Sequence, residues 1–273
     1  MKIQALFFDL DGTLLDSTGR VLQSSIDEIR KARDAGYVIG IATGRDAESV
    51  RNLLGEWKLE GLIDVIAGTG GAEILDLNHD LYEHRHMLEG KLIEEVIEHF
   101  EDMDCNFAIP WNGVIYAPKD DRHIRELSKA DLVPYEVVDF KGFLKTPKPK
   151  VMIVCDPQLM PAVIERSKTF SSEKFKSASL QTASVLYEYM DPQVSKPDGI
   201  EAALKPYNLT LDDVAAFGDA DNDTSMLQKA RLGIAMGNAS EGSKAVADLI
   251  TDDNDHDGIA HAIDFFLDYC SGQ

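Results

Sequence analysis

Four short runs of this chain are apolar almost throughout and stop on polar or small residues at their carboxyl ends: IQALFFDLD, YVIGIATGR, IDVIAG and VAAFGD. A strand covered on one face alternates apolar and polar residues, whereas a strand covered on both faces is apolar continuously. Helices on both faces provide that cover, so the runs predict a parallel sheet. Amphipathic segments stand between them. SSIDEIRKARDAG predicts a helix capped by Ser24 or Ser25 and ended by Gly36, and a second helix is expected over 46–57. The predicted fold class is α/β, a doubly wound parallel sheet with a Rossmann-like core.

The rhythm changes in the middle of the chain. GTGGAEILDLNHDLYEH predicts a hairpin turning at Asn78, His79 and Asp80. LEGKLIEEVIEHFEDM predicts a helix, and CNFAIPW and GVIYAP predict strands around Trp111, Asn112 and Gly113. A strand KVMIVCD, a helix over 157–170 and an antiparallel pair FKSASL and VLYEYMD follow. Short strands and hairpins suggest a separate α+β unit. The α/β rhythm then returns through KPDGIEAALKPYN, VAAFGD, DNDTSMLQKA, RLGIAMG, SEGSKAVAD and LIT, with a final helix over 257–269. The expected organisation is a discontinuous core, 1–81 and 190–273, interrupted by an α+β cap domain over 82–189.

In such a sheet, ligands collect beyond the carboxyl ends of the strands, where the strand order reverses. This chain delivers Asp9 and Asp11, then Thr43, Gly44 and Arg45, then Ser195 and Lys196, then Asp219, Asn222 and Asp223 to that edge. Crowded carboxylates raise one another's pKa. A hard divalent cation relieves the crowding, and Mg²⁺ takes carboxylates, waters and phosphate oxygens. Lys196, Thr43 and the N–H groups of tight turns then suit a phosphoryl group.

Charge and composition narrow the partners. The formal net charge is −21, which repels nucleic acids and anionic membranes, so neither is an expected partner. Cys105, Cys155 and Cys270 match no metal spacing and read as free thiols of a reducing compartment. With no run approaching a membrane span, a cytoplasmic protein is expected. Two acidic runs imitate calcium loops. In the first, which begins at Asp219, Thr224 and Ala230 stand where a glycine and an acid are needed. The second, over 253–258, follows a short strand and is expected to be a solvated loop capping the last helix. KGFLKTPKPK, over 141–150, likewise reads as a solvated loop before a strand.

Taken together, FFDLDGTLLD, IATGR, SKPDG and GDADNDTSML resemble the four motifs of haloacid dehalogenase superfamily phosphatases. The chain is similar to their Cof-type branch, whose cap lies between the second and third motifs, and GIAMGNASEGSKAVADLITDDNDHDGIAHAI resembles the branch's C-terminal pattern. The resemblance implies Mg²⁺-dependent hydrolysis of a small phosphorylated metabolite, a sugar phosphate, through an aspartyl-phosphate. It makes Asp9 the nucleophile, while Asp11 protonates the leaving oxygen and then deprotonates water. It puts the metal on Asp9, Asp219 and the backbone carbonyl of Asp11, with Asp223 binding metal waters or orienting its neighbours. Leu10, Thr43, Gly44 and Lys196 are the implied phosphate-binding residues, assisted by Asn222. Arg45 is left between pairing with an acid and touching the substrate.

Two departures stand out. Gly70 replaces the branch's asparagine and removes a polar contact near the cap hinge, and Pro197 follows Lys196, which suits a first helical turn. The insert is expected to read the leaving group through Trp111 or Asn112. The alternatives are a phosphotransferase or sugar phosphomutase using the same intermediate, and a non-catalytic binding protein. A monomer or small homo-oligomer is expected.

Overall fold

The computed structural model describes residues 3–271, with side chains described through residue 265. The chain forms two compact units, one of Met1–Glu83 with Ser195–Gln273 and one of His84–Val194. The first unit begins with β1 (Ala5–Phe8), α1 (Gln23–Asp34), β2 (Val38–Ala42), α2 (Ala47–Leu53), β3 (Val65–Gly68), β4 (Glu73–Asp76) and β5 (Leu81–His84, whose last residue opens the second unit). The second unit contains α3 (Gly90–His99), β6 (Asn106–Trp111), β7 (Val114–Ala117), α4 (Arg122–Asp131), β8 (Tyr135–Val137) and α5 (Phe140–Phe143). It continues through β9 (Lys150–Val154), α6 (Met160–Ser167), β10 (Ala178–Ala183) and β11 (Leu186–Met190). The first unit resumes with α7 (Lys196–Leu204), β12 (Val214–Gly218), α8 (Thr224–Lys229), β13 (Leu232–Ala235), α9 (Glu241–Val246), β14 (Leu249–Ile250) and α10 (Gly258–Ser271).

In the first unit the strand order is β14-β13-β12-β1-β2-β3-β4-β5. Pairing is parallel from β14 to β3, and β4 joins β3 antiparallel. The apolar continuity of β1 has a direct cause. Leu6 and Phe8 pack into one core layer with Ile26 and Ile29 of α1 and Ile263 of α10. Ala5 and Phe7 pack into the other layer with Ile200 and Leu204 of α7 and Met226 of α8. Chain order runs outward from β1 through β2 and β3 on one side and from β12 through β13 and β14 on the other. The switch point therefore lies between β1 and β12. Phe8 is level with Phe217 and with Ile41, so Asp9, Gly218 and Ala42 leave the sheet at one height. Gly71 lets the chain after β3 pass against α7: its φ is +106°, and a Cβ there would lie 2.3 Å from the Ser195 carbonyl oxygen.

The second unit is a six-stranded sheet, β10-β11-β9-β6-β7-β8, antiparallel except for β7 with β8. Alternate residues of β9 feed two cores: Val151 and Ile153 meet α3 and α6, and Met152 and Val154 meet α4. Asn112 and Gly113 both take positive φ in the β6–β7 turn.

Several expectations need correcting. α1 starts at Gln23 after Leu22, which makes no side-chain cap; Ser25 is buried, and the Ser24 hydroxyl instead donates to Asp257 Oδ1 at 2.5 Å. α4, β8 and α5 occupy a stretch in which no element was expected. α4 presents His123, Ile124 and Leu127 to the core and is polar on its other side, a helical period the reading passed over. The lysine-rich stretch is not a solvated loop. α5 opens it, and Lys148 and Lys150 are buried. Lys150 Nζ meets both Glu188 oxygens at 2.9 Å. Lys148 Nζ donates to Thr146 Oγ1 at 2.6 Å and sits 4.4 Å from the Phe143 ring centre. Cys105 and Cys155 are free and buried, and the side chain of Cys270 lies outside the described residues.

Candidate active site

Asp9 follows β1 and is held at the switch point by its N–H, which donates to the Phe217 carbonyl at 2.9 Å. Lys196 opens α7 behind the N-cap Ser195, with Pro197 in the first turn. Its ammonium is almost fully buried, 2.5 Å from Asp9 Oδ1 and in contact with Asp223 Oδ1. The other oxygen of Asp223 accepts the N–H groups of Asp219 at 3.0 Å and Ala220 at 2.9 Å. Asp223 thus orients the turn after β12 as well as the lysine. Asp219 accepts the Thr13 hydroxyl at 2.7 Å. Gly12 makes room for it: φ is +81°, and a Cβ would fall 2.5 Å from Asp219 Oδ2.

Oxygens of Asp9, Asp219 and Asp223 lie within 4.8 Å of one another. Burial, then the Asp223 charge, pushes Asp9 well above the usual carboxylate range, against the opposing pull of Lys196. Burial pushes Asp219 up to about 6, and Asp223 adds to it while the Thr13 hydrogen bond opposes it. Burial alone would lower Lys196, but the charges of Asp9 and Asp223 outweigh it and push the ammonium up. Three hard oxygen donors with one ammonium among them fit a hard divalent cation.

Asp11 turns elsewhere. Its side chain is 56% exposed and takes a bidentate pair from Arg45, Nε to Oδ2 at 2.8 Å and Nη2 to Oδ1 at 2.7 Å. Arg45 therefore pairs with an acid, and that acid is Asp11. The Thr43 hydroxyl is buried and accepts the Arg45 N–H at 3.1 Å, and Gly44 is half-buried beside it. The Leu10 side chain lies wholly in the core, so only its backbone faces the site. Asn222 is exposed on the turn after β12.

The sequence reading passed over Thr13, Asn238 and Asn254. Asn238 Nδ2 donates to the Gly12 carbonyl and Asn254 Nδ2 to the Leu15 carbonyl, both at 2.8 Å. The 253–258 loop thereby clasps the turn that carries Asp11, and Asp255 Oδ1 accepts the Ser17 N–H at 2.8 Å. The one faint signal was position, since Asn238 lies three residues beyond the end of β13 in the same parallel sheet, but its partner is remote in the chain. Gly70 offers no side chain, and the nearby Glu73 makes polar ties at this place, to Thr69 and Tyr82.

Comparison with known proteins adds the following. A profile of haloacid dehalogenase-like hydrolases matches residues 6–263. The chain is 26% identical to phosphatase YwpJ of Bacillus subtilis, covering 98% of this chain and 100% of that protein. It is 28% identical to the B. subtilis 5-amino-6-(5-phospho-D-ribitylamino)uracil phosphatase YcsE over 96% of this chain and 95% of that protein. A chloroplastic endoribonuclease YBEY of Arabidopsis thaliana is 26% identical over 96% of this chain, which spans only 46% of that protein. Among solved structures, a haloacid dehalogenase-like hydrolase from Bacteroides thetaiotaomicron superposes with a TM-score of 0.87 at 24% identity, covering 97% and 100% of the two chains. The subclass IIB sugar phosphatase BT4131 superposes with a TM-score of 0.81 at 25% identity, covering 97% and 99%. No helix among the described residues is long and apolar enough to cross a membrane.

Proposed function

The chain belongs to the haloacid dehalogenase-like hydrolases, and from that premise we propose that it hydrolyses a small phosphorylated metabolite, with Asp9 as nucleophile and Asp11 as acid and base. The observation that carries this reading is the buried Lys196 ammonium shared by Asp9 and Asp223 beside Asp219. It supports the reading because a buried carboxylate, an ammonium and further oxygen donors meet at one switch point.

Asp9 attacks phosphorus, and the bond to the ester oxygen breaks. Asp11 gives its proton to that oxygen, so the leaving group departs as a neutral alcohol. Asp11 then takes a proton from water as the water oxygen attacks the aspartyl-phosphate. Phosphate leaves, the Asp9 carboxylate returns, and Asp11 again holds a proton. Lys196, Thr43 and the N–H groups near Leu10 and Gly44 hold the phosphoryl oxygens, with Asn222 assisting. Asp9, Asp219 and the Asp11 carbonyl would hold Mg²⁺ with Asp223 beside them, and the ion supplies positive charge to the phosphoryl group. The unit His84–Val194 acts as a lid that reads the leaving group, with Trp111 and Asn112 as its first candidates. Kinship with a sugar phosphatase and with a ribitylaminouracil phosphatase supports a phosphorylated polyol or sugar as substrate.

The test is a screen of phosphorylated metabolites with the EDTA-treated protein, with and without added Mg²⁺. One phosphate released per ester consumed, only with metal, is expected. Full turnover after exhaustive chelation refutes the metal role. Transfer of the phosphoryl group to a second alcohol instead of water identifies a phosphotransferase.

A further inference from the structure

Among the buried acids outside the cluster that attacks phosphorus, Glu73 is the most completely enclosed. Glu73, the first residue of β4, has no solvent-exposed surface. Its Oε2 accepts the Ala47 N–H at 3.0 Å and the Thr69 hydroxyl at 2.7 Å, and its Oε1 accepts the Tyr82 hydroxyl at 3.1 Å. Ala47 opens α2, Thr69 follows β3, and Tyr82 lies in β5. Burial, reinforced by the Asp46 carboxylate, pushes Glu73 up to about 7, so the fold keeps this acid against a penalty.

What the three hydrogen bonds hold in place explains the retention. The Thr69 N–H donates to the Arg45 carbonyl at 2.7 Å, and the Gly70 N–H donates to the Thr43 carbonyl at 2.8 Å. The 43–47 loop therefore rests on the loop after β3, and one carboxylate clamps both, through Ala47 on one side and Thr69 on the other. The side chain that leaves this clamped loop is Arg45, whose two hydrogen bonds fix the plane of the Asp11 carboxylate. Asp11 is more than half exposed and has no comparable restraint from the sheet.

We propose that Glu73 is a positioning residue that sets the direction of the Asp11 carboxylate through the 43–47 loop and Arg45. The inference rests on Asp11 being the proton donor to the leaving group. It makes a chemical prediction that a purely structural role does not. An alkyl ester leaves as a strongly basic alkoxide unless a proton is delivered, whereas p-nitrophenolate leaves without one. Loss of alignment at Asp11 therefore slows alkyl phosphates selectively.

The experiment compares kcat and KM for glucose 6-phosphate and p-nitrophenyl phosphate in the wild type, Glu73→Gln, Tyr82→Phe, Asp11→Asn and the double variant Asp11→Asn/Glu73→Gln. Glu73→Gln keeps the shape but turns an acceptor into a donor facing donors. It is expected to lower kcat/KM on glucose 6-phosphate about tenfold and kcat/KM on the aryl ester by no more than about twofold, because that ratio reads only the half-reaction that expels the alcohol and not the later attack of water common to both esters. Tyr82→Phe removes one of the three bonds and should give the same bias, smaller, which keeps the test alive if the Gln variant fails to fold. Asp11→Asn should show the largest bias, and adding Glu73→Gln to it should add none. Equal losses of kcat/KM on both esters, or a full extra factor in the double variant, overturn the proposal while the Asp11 reading stands. No bias in Asp11→Asn overturns the Asp11 reading, and this proposal with it.

Discussion

Replacing Lys196 by methionine keeps the length and apolar stem of the side chain and removes only its charge. In the native site that charge is nearly solvent-free, 2.5 Å from Asp9 Oδ1 and touching Asp223. Fully ionised, Asp9, Asp219 and Asp223 with Lys196 carry −2, and the variant leaves −3 in the same space. Breaking a buried pair by removing one partner costs about 3–5 kcal/mol. At roughly 2 °C per kcal/mol for a chain of this size, the metal-free variant should melt about 6–10 °C lower. Part of the strain is relieved by protonating Asp9, already raised by burial and by Asp223, and a protonated Asp9 is no nucleophile. Turnover at neutral pH should therefore fall about 10²–10³-fold or more. Saturating Mg²⁺ should return most of the lost stability without returning the activity, because a doubly charged ion gains more from a −3 cluster than from a −2 one. Scanning calorimetry of EDTA-treated protein, with and without Mg²⁺, reads both melting temperatures. A metal-free Lys196→Met as stable as the wild type would refute the charge argument. An unchanged Mg²⁺ shift would move the metal away from these aspartates.

Three other outcomes are expected. Asp9→Asn should abolish the covalent phosphoenzyme and turnover, whereas Asp11→Asn should still bind substrate; mass spectrometry of acid-quenched protein distinguishes them. Glu73 has a folded-state pKa near 7 against an ordinary 4.5, so the folded protein binds its proton more tightly. Its stabilising contribution is complete below about 4.5 and disappears as pH rises towards 7, roughly 3 kcal/mol at most, so wild type should lose more stability than Glu73→Gln between about pH 5 and pH 7 in urea titrations. Substituting Trp111, whose ring lies 4.6 Å from that of His84, together with Asn112, should reorder the metabolite screen while leaving p-nitrophenyl phosphate turnover nearly unchanged; equal losses on all esters would mean the pair serves folding alone.

The strands of the first unit were legible because burial on both faces removes polar residues from them and leaves the polar ends conspicuous. β1 and β12 show this most plainly, each fully buried and each followed within a residue by an aspartate. The convergence of Asp9, Lys196, Asp219 and Asp223 followed from the topology rule for open sheets. Thr13, Asn238 and Asn254 were not legible, because their partners lie more than 200 residues away along the chain. Lysines suggested solvent over 141–150, yet Lys150 of β9 reaches diagonally to Glu188 of β11, which stands opposite Met152, a contact that no local pattern encodes. Glu73 looked like one more acid in an acidic chain, and only its three donors reveal what it does.

The position of β12 beside β1 also has a consequence for biosynthesis. β1 leaves the ribosome well before the strand that pairs with its Ala5–Phe8 edge, which begins at Val214. At roughly 5–20 residues per second, that edge waits on the order of 10–40 s for its partner. During that interval the nascent chain carries an open, wholly apolar strand edge, while the complete inserted unit is made and can fold. Asp9 meanwhile lacks both its lysine and its neighbouring carboxylates. The growing polypeptide is thus exposed to edge-to-edge association before it is capable of any chemistry, and a chain released before α7 and β12 is both sticky and inert.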